Sequence, residues 1–117
     1  MTAPNIRTIT TMTGKTAVQE VSDTATAIVT NSVSSNQVYK LNALYISNIN
    51  GAVAQEVSAE IYRDSNSYYI ARTVVVPADA TLDLFSKSLY LEEGDELRIS
   101  ANTGSNVHAV CSYEVIA

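Results

Sequence analysis

The chain has 117 residues, a formal net charge of −5 and 46% hydrophobic residues. That is enough for one domain with a single buried core. Seven Lys and Arg against twelve Asp and Glu cannot build the basic face that nucleic acid or an anionic membrane surface requires. The single cysteine, Cys111, excludes an intrachain disulfide framework.

Ser, Thr and Asn make up more than a quarter of the sequence, and Val, Ile and Tyr are frequent. This mixture favours strands and turns. The first residues, MTAPNIRTITTMTGKT, contain no apolar run of the signal-peptide kind. No run of 18 apolar residues occurs, so no membrane-spanning helix is expected. The expectation is a soluble protein made in a cytoplasm.

Residues 2–13 are Thr-rich, with Ile6 and Ile9 as their only large aliphatic side chains. Pro4 favours an extended start. The composition predicts an extended N-terminal arm or an edge strand over residues 1–14, followed by one domain over residues 15–117. Gly14-Lys15 reads as a turn. Residues 16–21 and 24–33 read as strands, and residues 34–37 as a loop. Residues 38–48, VYKLNALYISN, are the strongest central strand. Leu44 and Ile46 share one face with Asn42 and Asn48, while Leu41, Ala43 and Tyr45 share the other. Two apolar faces predict a strand covered on both sides or carrying a bulge.

Asn50-Gly51 is a two-residue hairpin signal. Val57, Ala59 and Ile61 then alternate with Glu56, Ser58 and Glu60. Residues 64–67, DSNS, predict the next turn. Residues 68–76 form a strand that Pro77 ends, and residues 78–80 lead to Leu82, Leu84 and Phe85. Residues 89–116 read as strand, acidic turn, strand, loop and strand. Leu97, Ile99 and Ala101 face inward there, as do Val107, Ala109, Cys111, Tyr113 and Val115. Gly94 supplies the positive φ that a turn at residues 92–95 needs. The whole predicts an all-β fold: an antiparallel β-sandwich, immunoglobulin-like or jelly-roll-like, of eight or nine short strands.

No constellation able to do chemistry emerges. Gly14-Lys15-Thr16 resembles the tail of a phosphate-binding loop, but that motif needs a glycine at position 9, which is Ile9. His108, the only histidine, reads as a solvent-facing strand residue with nothing nearby to mark an acid or an oxyanion hole. Cys111 reads as a small buried hydrophobe. Glu92, Glu93, Asp95 and Glu96 read as a solvated acidic turn without calcium-loop spacing. Asp64-Ser65-Asn66 begins like such a loop but fails at Tyr68. No catalytic, cofactor or metal residue is therefore assigned, and no enzyme is expected. Tyr62, Tyr68 and Tyr69 gather around one predicted hairpin. With Ile6 and Ile9 they are the candidate interface residues, because tyrosine buries area and keeps a hydroxyl for hydrogen bonding.

The order of these segments resembles small β-sandwich virion structural proteins of tailed bacteriophages, of the marine and cyanophage type. The residues that carry the resemblance are YISNING, VSAEIYRD, YYIARTVVVPADATLDLF, KSLYLEEGDELRISA and VCSYEVI, including Leu91, Gly94, Asp95 and Leu97. It covers residues 38–116. The resemblance implies a non-enzymatic protein present in many copies on the head, neck or tail, decorating or stabilising the particle. Its implied partners are other virion proteins (major capsid, neck or tail) and further copies of itself, with no nucleic acid and no membrane. The alternative is a receptor- or carbohydrate-binding module of a tail or fibre.

Overall fold

The structure, a computed structural model, describes residues 8–117, and all statements below concern these residues. Ile6 lies outside them. Nine strands are present and no helix: β1 (Met12–Val21), β2 (Thr26–Thr30), β3 (Val38–Asn48), β4 (Gln55–Arg63), β5 (Asn66–Val76), β6 (Thr81–Asp83), β7 (Leu89–Leu91), β8 (Glu96–Ala101) and β9 (Val107–Ile116). They form two antiparallel sheets. The first has the order β1-β9-β3-β6, with β7 also pairing β3; the second has the order β2-β8-β4-β5.

The pairing is nested. β1 pairs β9, β2 pairs β8, β3 pairs β6 and β7, and β4 pairs β5. A chain folded double and wrapped so that its successive pairs fall in alternate sheets is a jelly roll. Of the two sandwich types expected, the jelly roll is the one formed. Six of the eight connections cross from one sheet to the other; β4–β5 is the hairpin of the second sheet, and β6–β7 stays within the first.

Most strands bury the face their alternation predicts; at the end of β9 the buried residue is Ile116, while Val115, expected inward, is half-buried. Leu44, Ile46, Val57, Leu97, Ile99 and Cys111 are all fully buried between the sheets. Ile61, expected with them, is half-buried near an open flank. The two-faced reading of β3 has a definite cause: its register with β9 shifts between Leu41 and Ala43. The bulge at Asn42 turns both Leu41 and Leu44 to the core, three residues apart. Ala43 and Tyr45 then face out, and Tyr45 is exposed.

Two local expectations are corrected, those for Gly14-Lys15 and for Asn50-Gly51. Gly14-Lys15 is no turn: both residues lie inside β1, paired with Glu114 and Tyr113 of β9. Ten uninterrupted backbone pairs outweigh the turn tendency of one glycine. β1 starts at Met12 and is terminal in its sheet, and the Thr10 and Thr11 amides donate to the Ala117 carbonyl at 2.8 and 2.9 Å. Asn50-Gly51 makes no hairpin, since β3 and β4 belong to different sheets. There Asn50 Oδ1 accepts from the amides of Ala52 and Val53 in a sheet-crossing loop. The turn placed at residues 64–67 is tighter than expected. Asp64 and Ser65, both at positive φ (52° and 63°), make a two-residue turn whose twist suits the flanking strands.

Candidate interaction surface

Short strands at one lateral side leave the sandwich open. β5 has eleven residues, but β6 and β7 opposite it have three each. Inner-face residues near the β4–β5 turn are therefore left without a complete opposing sheet. A groove of about 370 Å³ results, lined by Ile61, Arg63, Tyr68, Leu89 and Tyr90. Tyr68 pairs with Ile61 across β5 and β4, so it points to the inner side, yet it is 58% exposed. Tyr90 is 45% exposed.

Arg63 forms the end wall of this groove. Its Nε donates to Asp95 Oδ1 at 2.7 Å, and its Nη2 donates to Asp95 Oδ2 and to Glu92 Oε2. Asp95 is buried at 1% exposure, and its Oδ2 also accepts the Glu92 amide at 2.9 Å. The hydrogen bond to Asp95, with that carboxylate's charge and that of Glu92, holds the Arg63 guanidinium above its ordinary pKa despite some desolvation. The bidentate fork places a cation on a carboxylate that would otherwise be buried unpaired. Beyond Arg63 the surface is acidic: Asp64, Glu92, Glu93 and Glu96 line the adjoining hollow with Gly94 and Val33. Gly94 is at φ +90°, as its turn requires. Among the described residues no group of three or more His, Cys, Asp or Glu is arranged to hold a metal ion.

The three candidate tyrosines do not form one patch. Tyr68 faces the groove, whereas Tyr69 pairs with Glu60 on the outer face of the second sheet. Tyr62 lies on that outer face too, half-buried, with the Arg98 guanidinium 3.5 Å from its ring centroid. Arg72 sits 4.9 Å from the centre of the Tyr69 ring. Both rings thus carry a cation on one face. Arg98 Nε also donates to Glu96 Oε1 at 2.9 Å, and this raises its pKa. Ile9 is half-buried beside β1.

His108 is exposed, and Cys111 is fully buried. Burial pushes the Cys111 thiol up to about 12, with a smaller contribution from Asp83, which suits a packing role. Sequence reasoning missed Leu89 and Tyr90 as groove residues. Their signal was the brevity of the strand before the acidic turn, which does not cover the strand opposite it.

The lateral edges differ. In the described residues β1 has β9 as its strand partner and is terminal in its sheet, with a register that runs unbroken from Met12–Ile116 to Val21–Val107. β5 is terminal in the other sheet, but its pairing with β4 shifts on either side of Ala59 and Thr73 sits at φ 48°. Among the described residues no helix is long and apolar enough to cross a membrane.

No protein-family model matches the chain, and no curated protein matches it. Among solved structures, the chain is similar to a protein of Bacillus endospore appendages, which form disulfide-linked pili. The identity is 15%, 92% of this chain and 87% of that one are covered, and the TM-score is 0.55. It also aligns with a pentameric capsid protein isolated from metagenomic phage sequences. There the identity is 17%, 84% of this chain and 59% of that one are covered, and the TM-score is 0.46. The endospore-appendage likeness is one of fold alone.

Proposed function

We propose that the chain is a non-enzymatic structural protein of a bacteriophage virion, present in many copies and joined to its neighbours by protein–protein contact. Its place is on the capsid, neck or tail, its partners are other virion proteins, and further copies of itself complete a homo-oligomer. The observation that carries this reading is β1. A regular ten-residue terminal strand offers a row of backbone donors and acceptors that isolated domains normally blunt with bulges, charges or brevity. Here Lys15 is the one charge in the first eight residues of the strand. The Thr-rich arm runs straight into that strand, and such a segment suits backbone pairing with a neighbouring subunit.

The endospore-appendage neighbour lends the reading an example, a sandwich fold in a pilus. Its disulfide linkage has no counterpart in a chain whose one cysteine is buried. For the alternative, a carbohydrate- or receptor-binding module, cations already cover one face of Tyr62 and of Tyr69, which leaves the exposed Tyr68 and Tyr90 as its aromatic platforms.

The test is deletion of residues 2–8, which spares β1 and the bonds of Thr10 and Thr11 to Ala117. The shortened protein should keep its β-sheet circular dichroism, remain monomeric in light scattering and fail to join particles. Normal oligomers and normal incorporation would sink the reading.

A further inference from the structure

We infer that the groove between β5 and β7 is the seat for residues 2–9 of a second copy of this chain. The inference deepens the assembly reading above and rests on it.

Chemistry matches on the two sides. The groove offers half-buried Ile61 and Leu89 with exposed Tyr68 and Tyr90. The segment offers Ile6 and Ile9 as its large aliphatics, with Arg7 between them, and Ile9, half-buried on its own chain, exchanges that cover for the groove. No acidic residue occurs before Glu20, so the start of the chain is cationic while the rest is strongly anionic. The rim is of opposite sign: Asp64, Glu92, Glu93 and Glu96 stand beside the groove, and Arg63 is already committed to Asp95 and Glu92. An aliphatic and cationic segment therefore meets an apolar groove with an acidic rim.

Position matches as well. Met12, Ile116 and Val38 lie in one row across β1, β9 and β3, and the next residue of β3, Tyr39, pairs with Leu91 of β7. Residues 10–12 thus lie level with the groove but at the opposite lateral side. Placing a second copy alongside, without rotation, brings these residues of one against the groove of the next. β5 is terminal in its sheet, and residues 66–69, on the turn side of its register shifts, are there to take main-chain hydrogen bonds. Such a contact is heterologous, so it propagates as a row or closes as a ring. Within one chain Tyr68 and Tyr90 stay exposed, and reaching its own groove would take the segment across β9, β3 and β7.

Complementation tests this. One variant lacks residues 2–8 and keeps the groove. The other carries Tyr68→Glu and Tyr90→Glu, both at exposed positions, and keeps the segment. Neither alone should assemble; mixed, they should give a one-to-one complex in native mass spectrometry that weakens several-fold as salt rises. A mixture that stays monomeric overturns the proposal, and so does a groove variant that assembles like the parent. In that second case, arm deletion that still blocks assembly leaves the function standing and moves the seat elsewhere. A measurement without groove substitutions guards against misfolding. A synthetic peptide of residues 1–11, added to the chain lacking residues 2–8, should shift amide resonances of residues 61–68 and 89–90. Shifts confined to other residues overturn the seat.

Discussion

Two asparagines join the sheets from opposite ends. Asn48, at the end of β3, donates from Nδ2 to the carbonyls of Val53, Val76 and Pro77 at 2.9, 3.0 and 3.3 Å, while its Oδ1 accepts the Asn50 amide. Asn31, just after β2, donates to the carbonyls of Gln37 and Leu91 at 2.9 and 3.0 Å and accepts from the Ser35 hydroxyl. Both are buried, so each satisfies backbone groups that water cannot reach. Asn48→Ala should cost about 1–3 kcal/mol, since the buried Val76 carbonyl loses its donor and the part-buried carbonyls of Val53 and Pro77 lose theirs with it. Asn48→Asp should be worse at neutral pH, because it turns a carboxylate toward three carbonyl oxygens. Urea unfolding of the pair checks the order; an Asp variant as stable as the wild type would refute it. Asn48 was placed on the Leu44–Ile46 face by alternation alone. Its partners were not legible, since they come from three loops and strands that only the fold brings together.

Cys111 gives a pH signature at the same scale. Its thiol sits at 9.0 when unperturbed and is raised to about 12 by burial. A raised acid contributes stability that is fully present below the unfolded pKa and lost as pH climbs through the folded one. Above pH 9 the unfolded chain ionises while the native chain does not. Stability should then fall from this group by about 1.4 kcal/mol per pH unit until about pH 12. Cys111→Ala, compared with the parent by denaturant unfolding at pH 7 and pH 10.5, should show the shallower decline. Equal declines would mean that the thiol is not shielded.

At the scale of elements, local pattern placed strands well and connections poorly. The alternation of Leu97, Ile99 and Ala101 was enough to define β8 and its inner face, because one face of β8 meets the core and the other meets solvent. Leu97→Ala or Ile99→Ala should cost about 2–5 kcal/mol as a cavity opens between the sheets. A loss below half a kcal/mol (about a twofold change in the folding constant) would place these residues outside the core. The Asn50-Gly51 signal was a true turn signal, but whether two strands pair or part after a turn depends on which sheet each joins. In a jelly roll nearly every turn parts them. Gly14 failed for the complementary reason: β9, almost a hundred residues later, supplies the partner that makes residues 12–15 a strand. The candidate tyrosines were split for the same cause. Neighbours along a strand point to opposite faces, so Tyr68 and Tyr69 could not share a patch.

For the whole molecule, the last quarter of the chain carries the architecture. β8 lies between β2 and β4, and β9 lies between β1 and β3, so β8–β9 supplies an interior strand to both sheets. The clean alternation of residues 96–116 reflects this, although sequence alone could not say which strands they separate. Until β9 is present, β1 has no strand partner and β3 has only the three-residue strands β6 and β7. Apart from the β4–β5 hairpin little can form early, because the β1–β9 and β2–β8 pairs close the longest loops in the chain. Such topologies pay loop-closure entropy before contacts repay it and fold in roughly milliseconds to seconds. A chain ending at Asn106 should therefore lack both cooperative urea unfolding and the near-ultraviolet tyrosine signal of a packed core. A chain lacking residues 2–8 should keep both. Adding a peptide of residues 107–117 to the shortened chain should restore cooperative unfolding, since the vacant slot between β1 and β3 matches that one strand. A cooperative transition without the peptide would show that the first sheet stands without its central strand, and that the sandwich is held mainly by the second.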